Sequence, residues 1–374
     1  MKKGFKNVMS NRIIISGGGT GGHIYPAIAI ANALQSINPE TEILFVGALG
    51  KMEMEKVPRA GYRIVGLPIV GIKREITLEN LAFPFKLANS LLKARSVIKE
   101  FKPDVAVGVG GFASGPLLMM ASFEGIPTLI QEQNSYAGIT NKFLAKKAGK
   151  ICVAYPGMEA FFPKEKLVML GNPVRSDIVD VSSKRKQALV HFGLSDKQKT
   201  LFVMGGSLGA RSINESLNSG IQILVNAGYQ VLWQTGKGFI EKAAQTISAL
   251  NTDRVKAFEF IYEMDLAYAI ADVVISRAGA LSVSELCLAE KPAILVPYPA
   301  AAEDHQTKNA LSLLEQNAAI LIRDNKTAED LVPEAINLMR DIVRQEELRM
   351  NIKKLAKPSA AKDIAEEVLK LIEL

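Results

Sequence analysis

Short apolar runs alternate along the whole chain with longer segments that have the spacing of helices. In the first half, five runs are apolar almost throughout and bounded by glycine, proline or polar residues, which is typical of strands covered on both faces of a sheet. They are residues 13–16, 43–46, 105–109, 128–131 and 151–154. Between Pro84 and Phe101, apolar residues recur at helical spacing. Strands alternating with helices indicate βαβ units and a parallel sheet.

The second half repeats this scheme and contains a second glycine-rich loop. Its predicted strands are residues 201–204, 230–234, 255–260, 273–275 and 293–296. The first strand of each half leads into a glycine-rich turn, residues 16–22 and 205–209, followed by a helical segment. The pattern predicts two doubly wound α/β domains, divided near Gly171-Asn172-Pro173, with one amphipathic helix at the end, over residues 360–374.

Length and composition are those of an ordinary globular protein. The chain has 374 residues, for which two domains are expected, and 48% hydrophobic, 22% charged and 6% aromatic residues exclude a disordered or collagen-like chain. Cys152 and Cys287 are the only two cysteines and lie far apart in the sequence. This excludes a disulfide framework and a cysteine-based zinc cluster, and it fits a reducing cytoplasm.

Positive charge is concentrated in the first half. Residues 1–175 contain 22 Lys and Arg against 12 Asp and Glu, a balance of +10, whereas the whole chain carries +7. The first half is therefore expected to meet an anionic partner, for which nucleic acid, an acidic membrane or a phosphorylated substrate would each qualify. The alternative is a basic face that is merely solvated.

Neither an export signal nor a membrane span is predicted. Lys2, Lys3 and Lys6 resemble a basic n-region, but only three apolar residues follow before the glycines begin. Residues 105–123 carry no charge over a length close to that of a spanning helix. Their glycines and Pro116 favour instead a buried strand, a glycine loop and the start of a helix.

The first glycine loop has the residues of an anion site. Gly17, Gly19 and Gly22 match the pattern of a dinucleotide-binding loop, but the next strand does not end in the acidic residue that would hold a ribose. The Lys-Ser/Thr pair of a P-loop is also absent from this loop. A loop whose backbone N–H groups meet an anion at a helix N-terminus fits the sequence better.

His23 directly follows this loop and is one of only three histidines. A histidine at the mouth of a sheet can act as a general base near neutral pH. The alternative is a histidine that only packs at the helix start or binds phosphate.

The second half offers groups suited to a nucleotide diphosphate. Ser207 lies in the second glycine loop, whose backbone N–H groups can bind an anion as those of the first loop can. Glu285 lies in a helix after a strand, where its carboxylate can accept hydrogen bonds from both hydroxyls of a ribose. His305 and Gln306 lie in a polar cluster that suits sugar hydroxyls. Each has an alternative: the loop is a turn needed only for packing, Glu285 is an exposed helix glutamate, and the cluster with His305 and Gln306 is a polar helix cap. No metal-binding motif is present, so helix dipoles and arginine would have to meet the phosphate charge.

The segment from Gly71 to Lys102 interleaves basic and apolar residues. Such a mixture suits adsorption to anionic lipid, although most apolar residues at this spacing belong to a core. The residues concerned are Lys73, Arg74, Lys86, Lys93, Arg95, Ile76, Leu78, Leu81, Phe83 and Phe85.

Six motifs occurring in order resemble one family, and they extend from about Asn11 to the C-terminal helix. They are Gly18-Gly19-Thr20-Gly21-Gly22-His23, Gly110-Gly111-Phe112-Ala113-Ser114-Gly115-Pro116, Glu132-Gln133-Asn134, Gly171-Asn172-Pro173-Val174-Arg175, Gly205-Gly206-Ser207-Leu208-Gly209-Ala210 and Asp304-His305-Gln306. Together they are similar to those of the MurG family, bacterial transferases of glycosyltransferase family 28. These enzymes add N-acetylglucosamine to the lipid-linked muramyl-pentapeptide precursor of peptidoglycan.

The resemblance implies a GT-B fold, in which two Rossmann-like domains face a cleft and the last helix crosses back to the first domain. The acceptor- and membrane-facing domain would comprise residues 1–172 with the helix at about 358–374, and the donor domain residues 173–357. The implied donor is UDP-N-acetylglucosamine. Its implied ligands are Thr20, Gly21, Gly22, Asn134, Arg175, Ser207, Ile261, Ala280, Leu281, Glu285, His305 and Gln306. The acceptor pyrophosphate would lie at Gly18, Gly19, Gly110 and Gly111.

The implied reaction is an inverting transfer to the 4-hydroxyl of the muramyl sugar, with His23 as the candidate base and no cofactor or metal. The implied partners are UDP-N-acetylglucosamine, a polyprenyl-diphosphate-linked muramyl-pentapeptide and an anionic membrane surface, without nucleic acid. Lys142, Lys146 and Lys147 would extend the basic face. The implied location is the cytoplasmic face of the bacterial inner membrane, with a role in cell-wall biogenesis, cell shape and division.

Two departures and two rival hypotheses accompany the resemblance. The small residues of the segment 298–302 are unusual for the family. Phe112 stands where the family usually has tyrosine, so a role for a hydroxyl is not available there. A glycolipid synthase of the same superfamily would share the fold but use a different lipid acceptor. A non-catalytic UDP-sugar-binding protein would bind the donor without releasing UDP.

Overall fold

The computed structural model describes residues 10–69 and 83–373, which form two compact units. The first comprises the described residues up to Pro173 together with those from Ser359 onward, and the second comprises Val174–Pro358. The division expected from the sequence lies one residue earlier at both places.

Unit 1 is built on a parallel sheet of seven strands in the order β3-β2-β1-β4-β5-β6-β7. The strands are β1 (Arg12–Ser16), β2 (Glu42–Ala48), β3 (Arg63–Leu67), β4 (Val105–Gly108), β5 (Thr128–Glu132), β6 (Lys150–Val153) and β7 (Leu167–Met169). The helices described in this unit are α1 (Gly21–Ile37), α2 (Glu53–Arg59), α3 (Phe83–Phe101), α4 (Ser114–Phe123), α5 (Ile139–Leu144) and the C-terminal α14 (Ala360–Lys370).

Side chains of the central strands alternate between two apolar cores, one on each face of the sheet. Ile14 belongs to the core beneath α3 and α4, whereas Ile13 and Ile15 belong to the core beneath α1, and all three are fully buried. The C-terminal helix packs on α1 and buries Ile364 in the second of these cores. The last helix therefore belongs to unit 1, as the resemblance implied.

Unit 2 has a parallel sheet of six strands in the order β10-β9-β8-β11-β12-β13. The strands are β8 (Thr200–Met204), β9 (Gln230–Gln234), β10 (Val255–Phe258), β11 (Val273–Ser276), β12 (Ala293–Leu295) and β13 (Ile320–Leu321). The helices are α6 (Arg185–Phe192), α7 (Arg211–Asn226), α8 (Ile240–Leu250), α9 (Met264–Ile270), α10 (Ala280–Leu288), α11 (His305–Leu314), α12 (Thr327–Arg340) and α13 (Ile342–Lys354).

Both sheets have the strand order of doubly wound nucleotide-binding domains, so the fold class predicted from the sequence is confirmed. The order reverses between β1 and β4 in unit 1 and between β8 and β11 in unit 2. Ligands of such sheets bind beyond the carboxyl ends of the strands at this switch point. Each glycine-rich loop leaves the sheet there.

Three strands were not predicted from the sequence, and all three lie at sheet edges. They are β3, β7 and β13. Their residues are mostly half-buried, and β13 has only two residues, so no continuous apolar run marks them. Residues 105–123 form β4, a glycine loop and α4, as predicted. Among the helices that the structure describes, none has the length and apolar character needed to cross a membrane.

Candidate functional site

In unit 1, two glycine loops meet at the switch point. Residues 17–20 follow β1 and residues 109–113 follow β4, and the two strands are neighbours in the sheet. Gly111 has a φ of +88°, and a Cβ atom there would overlap the carbonyl oxygen of Gly18. The backbones therefore touch without side chains between them, which brings the predicted acceptor residues Gly18, Gly19, Gly110 and Gly111 together.

His23 lies in the first turn of α1, against both loops. Its Nδ1 is 3.1 Å from the carbonyl oxygen of Gly18 and 3.3 Å from the hydroxyl of Thr20. A carbonyl oxygen only accepts, so the contact with Gly18 assigns the hydrogen of the neutral ring to Nδ1. The lone pair then lies on Nε2, on the side of the ring that faces Gly110, where an added Cβ would be 2.9 Å away. This is the tautomer of a general base acting through Nε2.

The predicted donor residues Thr20, Gly21 and Gly22 form the start of α1. Thr20 is the N-cap, with an extended backbone, and the two glycines are the first helical residues. Thr20 and Gly22 are exposed and Gly21 is half-buried. The N-terminus of this 17-residue helix is thus accessible to an anion.

Asn134 is held by a buried carboxylate at the end of β5. Glu132 accepts from the backbone N–H of Asn134 at 3.1 Å and from the side-chain amide of Asn141 at 2.8 Å. Gln133 donates to the carbonyl of Val109 at 2.8 Å, which ties this segment to the second glycine loop. No role was predicted for Glu132 or Gln133, although buried polar residues directly after a predicted strand are a signal that can be read from the sequence.

Glu53, at the start of α2, was not predicted as a site residue. Its side chain is fully buried, and its carboxylate accepts from the N–H groups of Gly19 and Ala48, both at 2.9 Å. Cβ atoms on Gly18 or Gly47 would overlap this side chain. Glu53 therefore fixes the backbone of the first glycine loop.

In unit 2, the side chain of Glu285 is 13% exposed and its carboxylate has two partners. One oxygen is 3.6 Å from the guanidinium of Arg175, and the other accepts from the hydroxyl of Tyr268 at 3.0 Å. Burial raises the pKa of Glu285, while Arg175 and the bond from Tyr268 lower it and Asp177 raises it. The alternative of an exposed helix glutamate is wrong, and Tyr268, which is fully buried, is a partner that the sequence did not indicate.

The second glycine loop is linked to Ile261 by one glutamine. Gln234 donates to the carbonyl of Gly206 at 3.0 Å and accepts from the N–H of Ile261 at 2.9 Å. Gly209 has a φ of +80°, and a Cβ there would overlap the carbonyl of Thr235. Ser207 is exposed at the tip of the loop.

Ala280 and Leu281 are the first residues of α10, whose N-cap Gly279 is extended. His305 and Gln306 begin α11, and the side-chain oxygen of Gln306 accepts from the N–H of Tyr298 at 2.9 Å. The loop before α11 is thus tied to the helix start, and both helix N-termini lie beyond strands of the same sheet.

Arg277 is a second unpredicted residue that organises unit 2. It is buried, donates to the carbonyls of Val296 and Pro297 at 3.1 Å, and pairs with Asp324. Its other nitrogen donates to the hydroxyl of Ser212 at the start of α7. Its position two residues after the predicted strand 273–275 was the available signal. Arg277 holds the loop that leads to Gln306.

The predicted membrane residues are only partly within the described chain. Outside the described residues lie Lys73, Arg74, Ile76, Leu78 and Leu81. Phe83 and Lys86 are half-buried, Phe85 is 75% exposed and Lys146 is exposed. The Lys142 ammonium lies over the ring of Tyr136, 4.1 Å from its centre.

Three further apolar side chains in this region are exposed and were not predicted. Phe123 at the end of α4 and Phe143 on α5 are 70% exposed, and Ile139 on α5 is 75% exposed. Helix α3 packs on α4, and α4 packs on α5. Basic and apolar side chains therefore share neighbouring helices of unit 1.

Metal ligands are not clustered in the described part of either unit. Within residues 10–69 and 83–373, no three His, Cys, Asp or Glu side chains are arranged to hold a metal ion. Cys152 and Cys287 are buried thiols, and burial raises the pKa of each to about 12.

Two family models match the chain, one in each unit. Residues 13–153 match the glycosyltransferase family 28 N-terminal domain, and residues 200–368 match the glycosyltransferase family 28 C-terminal domain.

Curated relatives match over almost the whole chain. A protein of Parabacteroides distasonis is 55% identical over 97% of this chain and 98% of its own length, and one of Cytophaga hutchinsonii is 56% identical over 96% and 97%. Both are named UDP-N-acetylglucosamine--N-acetylmuramyl-(pentapeptide) pyrophosphoryl-undecaprenol N-acetylglucosamine transferase. The crystal structure of Acinetobacter baumannii MurG is 29% identical, with a TM-score of 0.77 over 96% of this chain and 99% of that one.

Proposed function

Because this chain belongs to glycosyltransferase family 28, we propose that it transfers N-acetylglucosamine from UDP-N-acetylglucosamine to the 4-hydroxyl of the muramyl sugar of undecaprenyl-diphosphate-linked N-acetylmuramyl-pentapeptide. The enzyme is a GT-B glycosyltransferase. The observation that carries the proposal is the identity of more than half of the residues to transferases of that name over nearly the full chain. The product would be the lipid-linked disaccharide used in peptidoglycan synthesis, with consequences for cell shape and division.

The donor site is assigned mainly to unit 2. Glu285 accepts from the ribose hydroxyls, and its half-buried carboxylate already faces Arg175, which would hold the diphosphate. The N–H of Ile261 is engaged by Gln234, so the carbonyl of Ile261 is the group assigned to uracil. Ser207 and the N-terminus of α10 at Ala280 and Leu281 complete the diphosphate site. His305 and Gln306 are assigned to the sugar, and Thr20, Gly21, Gly22 and Asn134 to the donor from unit 1.

The acceptor pyrophosphate is assigned to the paired glycine loops of unit 1. Gly18, Gly110 and Gly111 lack side chains where Glu53, the His23 ring and the Gly18 backbone lie, so the two loops pack against each other and fix the main chain of the assigned site. The amide of Gly19 donates to Glu53, so Gly19 serves through the space it leaves rather than through its N–H.

In the reaction, the acceptor 4-oxygen attacks the anomeric carbon while the bond to UDP breaks, which inverts the configuration. His23 Nε2 takes the proton of the attacking hydroxyl. Arg175 and the N-terminus of α10 stabilise the negative charge that develops on the departing UDP. Arg175 and the N-terminus of α10 belong to the same unit, so little reorganisation is needed around the departing diphosphate.

Release of UDP by the purified protein tests this function. With a polyprenyl-diphosphate-muramyl-pentapeptide analogue and a chelator present, UDP-N-acetylglucosamine should yield UDP and the disaccharide product. Release that required a diacylglycerol acceptor would favour a glycolipid synthase, and binding of UDP-N-acetylglucosamine with no release on any acceptor would favour a non-catalytic protein. Loss of activity on chelation would contradict the metal-free diphosphate site.

Tyr268→Phe is expected to weaken donor binding about fivefold to tenfold, because it removes a hydrogen bond to the charged Glu285 and leaves the ring in place. The bond lowers the pKa of Glu285, so its loss raises that pKa further, and the weakening should be greater at about pH 5 than at about pH 8. Titration calorimetry with UDP-N-acetylglucosamine measures both. Tyr62→Phe, which removes a hydroxyl bonded to Asn32 in unit 1, is the matched control and should leave the affinity unchanged.

The enzyme would bind peripherally at the cytoplasmic face of the membrane, where its acceptor is anchored. The exposed Phe85, Ile139 and Phe143, with nearby lysines such as Lys146, supply apolar and basic side chains for an anionic lipid surface. The positive balance of the first half of the sequence agrees with this.

The double variant Ile139→Ser/Phe143→Ser is expected to lose most of its binding to vesicles that contain anionic lipid, because these two side chains bring apolar area to the interface. Sedimentation with vesicles measures the bound fraction, which should also fall for the unchanged protein as salt rises. Val190→Ser, at an 84% exposed apolar residue of unit 2, is the control. Equal loss in the control, or binding unaffected in the double variant, would contradict this location of the membrane surface.

A further inference from the structure

Glu53 is a fully buried carboxylate that the proposed reaction does not use. It lies at the start of α2, and both of its oxygens accept from backbone N–H groups, those of Gly19 and Ala48. Keeping an ionised carboxylate away from water is unfavourable unless its hydrogen bonds compensate for the lost hydration. Glu55, two residues later on the same helix, is exposed and pairs with Arg59. The helix itself therefore does not require a carboxylate at position 53.

One peptide group connects Glu53 to His23. The N–H of Gly19 donates to Glu53 Oε2 at 2.9 Å, and the carbonyl of Gly18, which belongs to the same peptide group, is 3.1 Å from His23 Nδ1. The described peptide bonds are trans, so the N–H and the C=O of this group point in opposite directions. Hydrogen bonds linked in this way polarise one another, and a carboxylate at one end increases the negative charge on the carbonyl oxygen at the other.

We propose that Glu53 is a positioning residue that acts on His23 through the Gly18–Gly19 peptide, so that carboxylate, peptide and imidazole form one relay. The inference rests on the proposed function, in which His23 is the base. In a serine-protease triad a carboxylate holds the histidine directly; here the peptide carbonyl takes that place and the carboxylate acts behind it.

The relay has a defined task in the transfer step. When the acceptor oxygen forms its bond to the anomeric carbon, the hydroxyl proton moves to His23 Nε2, and the electron pair of the broken bond leaves with UDP. The imidazolium then donates through Nδ1 to the carbonyl oxygen of Gly18. The hydrogen bond from the Gly19 N–H to Glu53 increases the negative charge on that oxygen. The Gly18 carbonyl also fixes the ring tautomer before the reaction, because it accepts only from a protonated Nδ1.

The glycines around the carboxylate fit this role. Added Cβ atoms on Gly18 and Gly47 would overlap the Glu53 side chain, so both positions leave the space that it occupies. Gly110 leaves space for the His23 ring in the same way. Each end of the relay is therefore bounded by a residue without a side chain.

A double-mutant cycle tests the relay. Glu53→Gln keeps the shape but replaces one acceptor oxygen with an amide nitrogen, and kcat should fall about 10- to 100-fold, by analogy with the range found for partners that orient metal-ligating histidines. In the His23→Ala background, the same change should alter kcat less than about twofold, because its target is gone. Asp104→Asn, which removes a carboxylate that accepts from the backbone at the other end of β1, is the control and should leave kcat unchanged.

The outcomes separate the relay from the base assignment. If His23→Ala itself has little effect on kcat, the base assignment in the proposed function fails. If His23→Ala lowers kcat strongly but Glu53→Gln lowers it equally with and without His23, the base assignment stands and the relay is wrong.

A spectroscopic measurement on the unchanged protein covers the case in which Glu53→Gln does not fold. The chain has three histidines, so the ¹⁵N imidazole signals of His23 are assigned by comparison with His23→Ala. In the neutral ring, Nδ1 should be protonated, with its proton at the high frequency typical of a strong hydrogen bond. A ring protonated at Nε2 instead would overturn the relay.

Discussion

The His23→Ala variant is expected to lose about 10²- to 10⁴-fold in kcat and to keep its affinity for UDP-N-acetylglucosamine within about twofold. The loss follows from removing the only group in our assignment that takes the proton of the attacking hydroxyl. The affinity is retained because the donor is assigned mainly to unit 2, whereas His23 lies at the glycine loops of unit 1. Steady-state kinetics on the lipid-linked acceptor and calorimetry with the donor measure the two quantities.

His191→Ala is the matched control for this variant. His191 lies on α6 in unit 2, where its ring packs against Phe192 and is 3.8 Å from Glu263, so kcat should not change. A variant of His23 that loses affinity for the pyrophosphate of the acceptor and keeps kcat at saturation would identify His23 as a phosphate ligand instead of a base.

The interior strands could be predicted because each is buried on both faces. In β1, for example, Ile13, Ile14 and Ile15 follow one another without a polar residue, since one core or the other receives every side chain. In β3 only Leu67 is buried, so this strand has no continuous apolar run although its pairing with β2 is regular. The edge strands β3, β7 and β13 are specified by their neighbour in the sheet, which a local pattern does not contain, whereas the edge strand β10 was predicted.

The glycine loops and His23 could be found because each motif is continuous in sequence. Glu53 could not be found from the sequence, because its partner Gly19 lies 34 residues earlier. Its burial also depends on the space left by Gly18 and Gly47. Tyr268 was missed for a similar reason, since the Glu285 that it contacts is 17 residues away on another helix. The residues assigned to the ligand lie in local motifs, whereas Glu53 and Tyr268, which hold such residues, are identified only by their tertiary contacts.

Gly111→Ala is expected to destabilise unit 1 by about 2–5 kcal/mol. A left-handed backbone costs a non-glycine residue about 1–2 kcal/mol, and overpacking adds about 1–3 kcal/mol. Gly111 has a φ of +88°, and its new Cβ would overlap the Gly18 carbonyl oxygen. Because that carbonyl also accepts from His23, the folded fraction should lose activity as well, which a purely structural loop would not require.

Gly125→Ala separates the two contributions, since Gly125 has a φ of +78° in the same unit and an added Cβ would meet no atom within 4 Å. This variant should lower the free energy of unfolding only by the backbone contribution of about 1–2 kcal/mol, and kcat should not change. Urea unfolding measures both variants: the single tryptophan, Trp233, is buried in unit 2, so its fluorescence follows that unit, while circular dichroism follows both. The transition followed by tryptophan fluorescence should keep its midpoint, whereas the midpoint of the unit 1 transition seen by circular dichroism should move to a lower urea concentration. Equal effects of the two substitutions on stability and on kcat would mean that the two glycine loops are not in contact. The position of the Gly18 carbonyl, and with it the hydrogen bond to His23 on which the assignment of the base depends, would then be wrong.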